Sequence, residues 1–113
     1  MSITVRSAII QELEILARAS LQMEYELTLV GRAGHAPTEL IESFCTDLFS
    51  PKSPAFIDAF NESELKDLAH LYGLLCEVNV TPSNTVSDML RNPSWRRVSA
   101  KAKEIHERLR HDA

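Results

Sequence analysis

The 113 residues carry 12 Lys/Arg against 16 Asp/Glu, a net charge of −4, with 44% apolar and 25% charged residues, three Gly and five Pro. This balance excludes a disordered or low-complexity chain, and at this length folding buries roughly two-thirds of the extended chain's surface. A net negative charge also opposes contact between most of the surface and nucleic-acid phosphates.

The opening stretch "MSITVRSAIIQELEILARAS" is cut by Gln11, Glu12 and Glu14, so no export signal is expected, and nothing approaches the roughly 18 apolar residues of a membrane span. With Cys45 and Cys76 as the two cysteines, a cytoplasmic setting with free thiols is predicted. A Cys45–Cys76 disulfide is the alternative in an oxidising compartment.

At roughly 100° per residue, a first helix, its end marked by Gly31 and Gly34, places Val5, Ile9, Leu13, Leu16, Met23 and Leu27 on one side, widened by Ile10, Ala17 and Leu21. Gln11, Glu14, Arg18 and Gln22 form its narrow polar strip. Such breadth predicts a central helix, or one covering a second surface such as a homodimer contact. "GRAGHAP" follows as a loop, and Pro37 and Thr38 open a second helix with Leu40, Ile41, Phe44, Cys45, Leu48 and Phe49 as its core stripe. After "SPKSP", Ser53 and Pro54 cap a short helix over Ala55 to Phe60.

"NESE", residues 61 to 64, has the form of a capping box and starts a helix to about Val78, with Leu65, Leu68, Leu71, Tyr72, Leu75 and Cys76 inward. "NVTPSN" is a turn, Thr85 to Arg91 a short helix, and Asn92 with Pro93 caps a last helix. No segment alternates with period two. The expectation is one all-α domain over residues 1–113, a compact irregular bundle of five or six helices.

Charge is divided unevenly. Residues 1 to 90 hold 13 Asp/Glu against 5 Lys/Arg, a net of −8, whereas 91 to 113 hold 3 against 7, a net of +4. In the last helix Trp95, Val98, Ala102, Ile105 and Leu109 form a narrow apolar seam, the bases fall on two flanks, and Glu104 and Glu107 lie between them. That arrangement predicts a closing helix of the bundle whose Lys and Arg reach acids on neighbouring helices, rather than an arm for nucleic acid.

Chemistry-bearing motifs are sparse. There is no phosphate loop, G-x-S-x-G, C-x-x-C or H-E-x-x-H. Asp67 and His70 have the i,i+3 spacing of a metal pair but are expected to face outward; no metal or cofactor is expected. His35 is the one loop histidine, His106 borders the Trp95 seam, His111 is terminal, and both thiols lie beside apolar stripes.

Two functional readings remain. Segment 39 to 67 holds Glu39, Glu42, Asp47, Asp58, Glu62, Glu64 and Asp67 against Lys52 and Lys66. These seven carboxylates are candidate contacts for a basic protein partner, which complementary charge would steer and select. Small acidic inhibitors of toxin nucleases, the immunity and antitoxin proteins, act by such occlusion, which would make this a non-catalytic protein. Alternatively, "LKDLAHLYG" (65–73) and "VTPSNTVSDMLRN" (80–92) resemble the first helix and the turn and second helix of helix-turn-helix transcription regulators, with "LLCEVN" inserted after Gly73. The resemblance implies DNA contact through Ser83, Asn84, Thr85, Ser87 and Arg91.

Overall fold

The computed structural model describes residues 4–28, 36–80 and 86–111. Among the described residues there are seven α-helices, one π-helical segment and no strand, an all-α bundle around a shared core. The helices are α1 (Val5–Ala17), α2 (Ala19–Thr28), α3 (Ala36–Glu42), α4 (Pro54–Ala59), α5 (Glu62–Val80), α6 (Val86–Arg91) and α7 (Pro93–His111), and the π segment is Ser43–Leu48. No described helix is long and apolar enough to cross a membrane.

The frame is α1, α5 and α7, with α7 packed against both others. Alternating turns supply the core: Ile9, Leu13 and Leu16 from α1, Leu68, Leu71, Leu75 and Val78 from α5, and Trp95, Val98, Ala102, Ile105 and Leu109 from α7 are all at most 1% exposed. The seam expected in the last helix is therefore buried in full. Local capping follows the sequence signals. Thr4 Oγ1 accepts from Ser7 N at 3.0 Å, and Asn92 Oδ1 accepts from Ser94 N at 2.9 Å. Asn61 and Glu64 close a reciprocal box, Glu64 N to Asn61 Oδ1 at 2.8 Å and Asn61 N to Glu64 Oε1 at 2.9 Å. Ser53 differs: its carbonyl accepts from Ile57 N at 3.0 Å, but its side chain makes no capping bond.

The expected first helix is two. Arg18 adopts an extended conformation (φ −120°, ψ 116°) with no Gly or Pro nearby, and α2 starts anew at Ala19. Gln22, assigned to the polar strip, is instead fully buried. Its Nε2 donates to the carbonyls of Ile15 and Leu16, both at 2.9 Å, and its Oε1 accepts from Trp95 Nε1 at 3.1 Å. One side chain thus satisfies two helix-terminal carbonyls and the indole N–H. Beyond the break the apolar stripe loses its register with the core. Met23 is 49% and Leu27 78% exposed, contrary to their assignment to the inner face.

The second helix also changes character. Phe44 and the two residues of α3, Leu40 and Ile41, are buried, but the chain then widens, and Phe49 N donates to Phe44 O at 2.8 Å, a π-type i→i−5 bond. The extra residue in the turn moves Cys45, Leu48 and Phe49 to the rim of the core, where they are half-buried. Phe49 stacks there on Tyr72 of α5, with ring centroids 4.9 Å apart. Tyr72 and Cys76, expected inward, consequently lie at the exposed edge of α5.

Candidate functional site

Of the seven candidate carboxylates, three belong to α5 or its entry and are held by cations of the same chain. Glu64 is 6% exposed and accepts a two-pronged contact from Arg6 (Nη1 to Oε1 3.0 Å, Nη2 to Oε2 2.9 Å). Arg6 also donates to Ala59 O at 3.1 Å and lies over the Phe60 ring. The Arg6 hydrogen bonds hold the Glu64 carboxyl below its usual range against the opposing effect of burial. Asp67, expected to face outward, turns to α7 instead and meets Lys101 Nζ at 3.4 Å and Arg108 Nη1 at 2.6 Å. Glu62 is solvated and pairs with Lys66 at 3.6 Å. The reach of the α7 bases toward neighbouring acids, read from their flanking positions, includes Arg97 to Glu77 at 3.9 Å as well.

The other side of the molecule differs. Glu42 at the end of α3, Asp47 in the π segment and Asp58 on α4 are exposed, and none of them has an ion pair among the described residues. Glu39 is half-buried and has an interaction of its own. Between the start of α1, the π segment and α4 runs a groove of about 350 Å³ lined by Thr4, Val5, Ala8, Asp47, Leu48 and Phe56, with Ser50 and Ser53. Its floor is apolar and Asp47 supplies its charge, a combination that suits an apolar side chain beside a basic one.

Beneath this surface lies a group that sequence reading passed over. Glu12 of α1 is 8% exposed, and its Oε1 has no hydrogen-bond partner among the described residues. Its carboxyl bonds the Ser43 side chain and feels the Asp47 charge, both in the π segment. Desolvation first, and Asp47 second, push its pKa up to about 7, with the Ser43 bond opposing them. Glu12 follows Gln11 and precedes Leu13 and Glu14 in sequence, but at helical spacing it shares its face with Ala8, Ile9, Ile15 and Leu16, the signal that could have marked it as buried.

The histidines do not converge. His70 is exposed, His106 is 9% exposed at the α7 seam, and His35 and the side chain of His111 lie outside the described residues. Among the described residues no three His, Cys, Asp or Glu side chains gather as a metal set. Of the residues implied by the helix-turn-helix resemblance, Ser83, Asn84, Thr85 and the Ser87 side chain also lie outside them, while Arg91 is exposed. Helix α5 runs through Gly73 to Val80, and Val86 and Met89 bury the inner face of α6. Comparison with protein-family models, curated proteins and solved structures gives no significant match.

Proposed function

We propose that this is a small, non-catalytic binding protein whose α3–π–α4 side receives a basic protein partner, in the manner of an immunity or antitoxin protein that occludes the basic cleft of a toxin nuclease. The observation that carries the reading is the contrast within one acidic segment. Glu62, Glu64 and Asp67 are engaged by cations of this chain, whereas exposed Glu42, Asp47 and Asp58 have no ion pair among the described residues, and Asp47 lines a partly apolar groove.

In this mechanism the carboxylates take the positions that nucleic-acid phosphates would occupy on the partner, and an apolar partner side chain seats on Leu48 and Phe56. Long-range attraction raises the association rate, and groove contacts set the lifetime of the complex. The relevant experiment isolates the partner from the native host and measures its dissociation constant as salt rises from about 50 to about 300 mM. The reading requires a basic partner and an affinity that falls steeply across that range. A partner that is acidic, or an affinity indifferent to salt, would overturn it.

A further inference from the structure

The bases of α7 lie on two flanks, and the fold treats the flanks differently. On one, Arg97 reaches Glu77 at 3.9 Å, while Lys101 and Arg108 hold Asp67 at 3.4 and 2.6 Å. On the other, Lys103 and Arg110 are exposed and make no ion pair among the described residues, although Lys103 and Glu107 have the i,i+4 spacing for one. Lys103, His106 and Arg110 follow one another at i, i+3 and i+7, which sets them on one face of the helix. That face meets the end of α1 across a recess of about 300 Å³, lined by these three residues and by Arg18 at the break between α1 and α2. His106 is 9% exposed there and has no hydrogen bond or ion pair among the described residues. A polar ring so far removed from bulk water gains from a partner inside the recess.

We propose that this recess binds a small hydroxylated phosphomonoester, with Arg18, Lys103 and Arg110 on the phosphate oxygens and His106 donating a ring N–H from the inner wall. The recess shares no lining residue with the groove beside Asp47, and the proposal is independent of the binding reading.

Charge, donor geometry and volume select that ligand. Three cations line the recess against two carboxylates, Glu14 and Glu107, and Glu14 is already paired with Arg18 at 3.7 Å. The recess is thus locally positive on a chain whose net charge is −4, and it attracts an anion. The forked guanidinium groups of Arg18 and Arg110 come from different helices and match the oxygens of a tetrahedral oxyanion, while the Lys103 ammonium adds a point charge. The carbonyls at the end of α1, which would oppose an anion, are covered. Leu16 O accepts from Gln22 Nε2 at 2.9 Å, and Ile15 O accepts from Gln22 Nε2 at 2.9 Å and from Arg18 N at 3.3 Å. About 300 Å³ stands at the small end of ligand sites and leaves room for a few heavy atoms beside the phosphate. Ala17 offers those atoms a short apolar wall, and the Glu107 carboxylate, without an ion pair among the described residues, accepts from a ligand hydroxyl.

The test titrates the full chain with glycerol 3-phosphate at about 50 mM salt and follows the NMR signals of the His106 ring and of the Ala17 and Arg110 amides, with inorganic phosphate, sulfate and glycerol as comparison probes. The expected result is one saturable site for the ester, weaker binding of the two inorganic anions at the same signals, and none of glycerol. Lys103→Ala and Arg110→Ala, which break no ion pair, should each weaken the ester at least about tenfold, and His106→Phe, which keeps the ring and removes the donor, should weaken it as well. Arg97→Ala takes the same charge from the other flank of α7 and should leave the affinity within about twofold. Three outcomes would overturn the proposal: no saturable shift with the ester, an equal loss in Arg97→Ala and Lys103→Ala, or sulfate or inorganic phosphate bound as tightly as the ester.

Discussion

Two sides of this bundle handle charge and packing in opposite ways. Where α2, α5 and α7 meet the rest of the frame, polar groups are partnered: Gln22 meets Trp95 and two carbonyls, Glu64 meets Arg6, and Asp67 meets Lys101 and Arg108. Around the π segment, Glu12 keeps a buried oxygen unpartnered, Cys45 sits half-buried, and Glu42, Asp47 and Asp58 face solvent without ion pairs among the described residues. The first side has the consistency expected of a folding frame. The second departs from it repeatedly within a few turns, and such departures collect where a surface is shaped for something other than stability.

Substitutions should expose that difference, beginning with the frame. Trp95→Ala removes a side chain that is 1% exposed and strands Gln22 Oε1, so a loss of about 3–5 kcal/mol is expected in chemical denaturation. A loss below about 1 kcal/mol would mean that the α7 seam is not core. Glu12→Gln probes the other side. With a folded pKa of about 7 against the ordinary 4.5, the native state binds more protons than the unfolded state between those values. Stability therefore falls as pH rises from 4.5 toward 7 and levels off above it, by about 3 kcal/mol in all. Glu12→Gln should flatten that slope and be the more stable protein at pH 8. A slope that survives the substitution would move the effect to another group.

Gln22→Ala comes next, with about 1–3 kcal/mol lost because the Leu16 carbonyl and the indole N–H lose the Gln22 amide and the Ile15 carbonyl is left with its 3.3 Å bond from Arg18 N. At the small end stands Arg97→Ala. Its contact with Glu77 is long, at 3.9 Å, and both side chains are more than half exposed, so thermal melting should register less than about 0.5 kcal/mol.

The same contrast explains what the sequence could and could not disclose. The frame was legible because its signals are local: the Asn61–Glu64 box, the Asn92–Pro93 cap and the seam through Trp95 each depend on residues within a few turns of one another. The break at Arg18 was not, since no Gly or Pro marks it and its compensation comes from Gln22 reaching an indole 73 positions away. The π turn was hidden too. An apolar run from Leu40 to Phe49 reads as a regular helix until the Phe49-to-Phe44 bond is seen. Within the candidate face, the acidic segment could be picked out by composition. Which of its carboxylates are held internally depends on Arg6, Lys101 and Arg108, which are remote in sequence and arrive only with the tertiary fold.

Under the proposed binding mode, recognition of a basic partner depends on the three open carboxylates. The direct measurement is the affinity of the isolated basic partner for a Glu42→Gln, Asp47→Asn, Asp58→Asn triple variant beside the unaltered chain at about 50 mM salt, where screening is weak. An affinity reduced at least about tenfold, equivalent to about 1.4 kcal/mol, with melting unchanged, is the predicted result. Undiminished affinity in the triple variant, with loss instead on Arg96→Ala, Lys103→Ala and Arg110→Ala in α7, would contradict the account and place the interface on the basic helix.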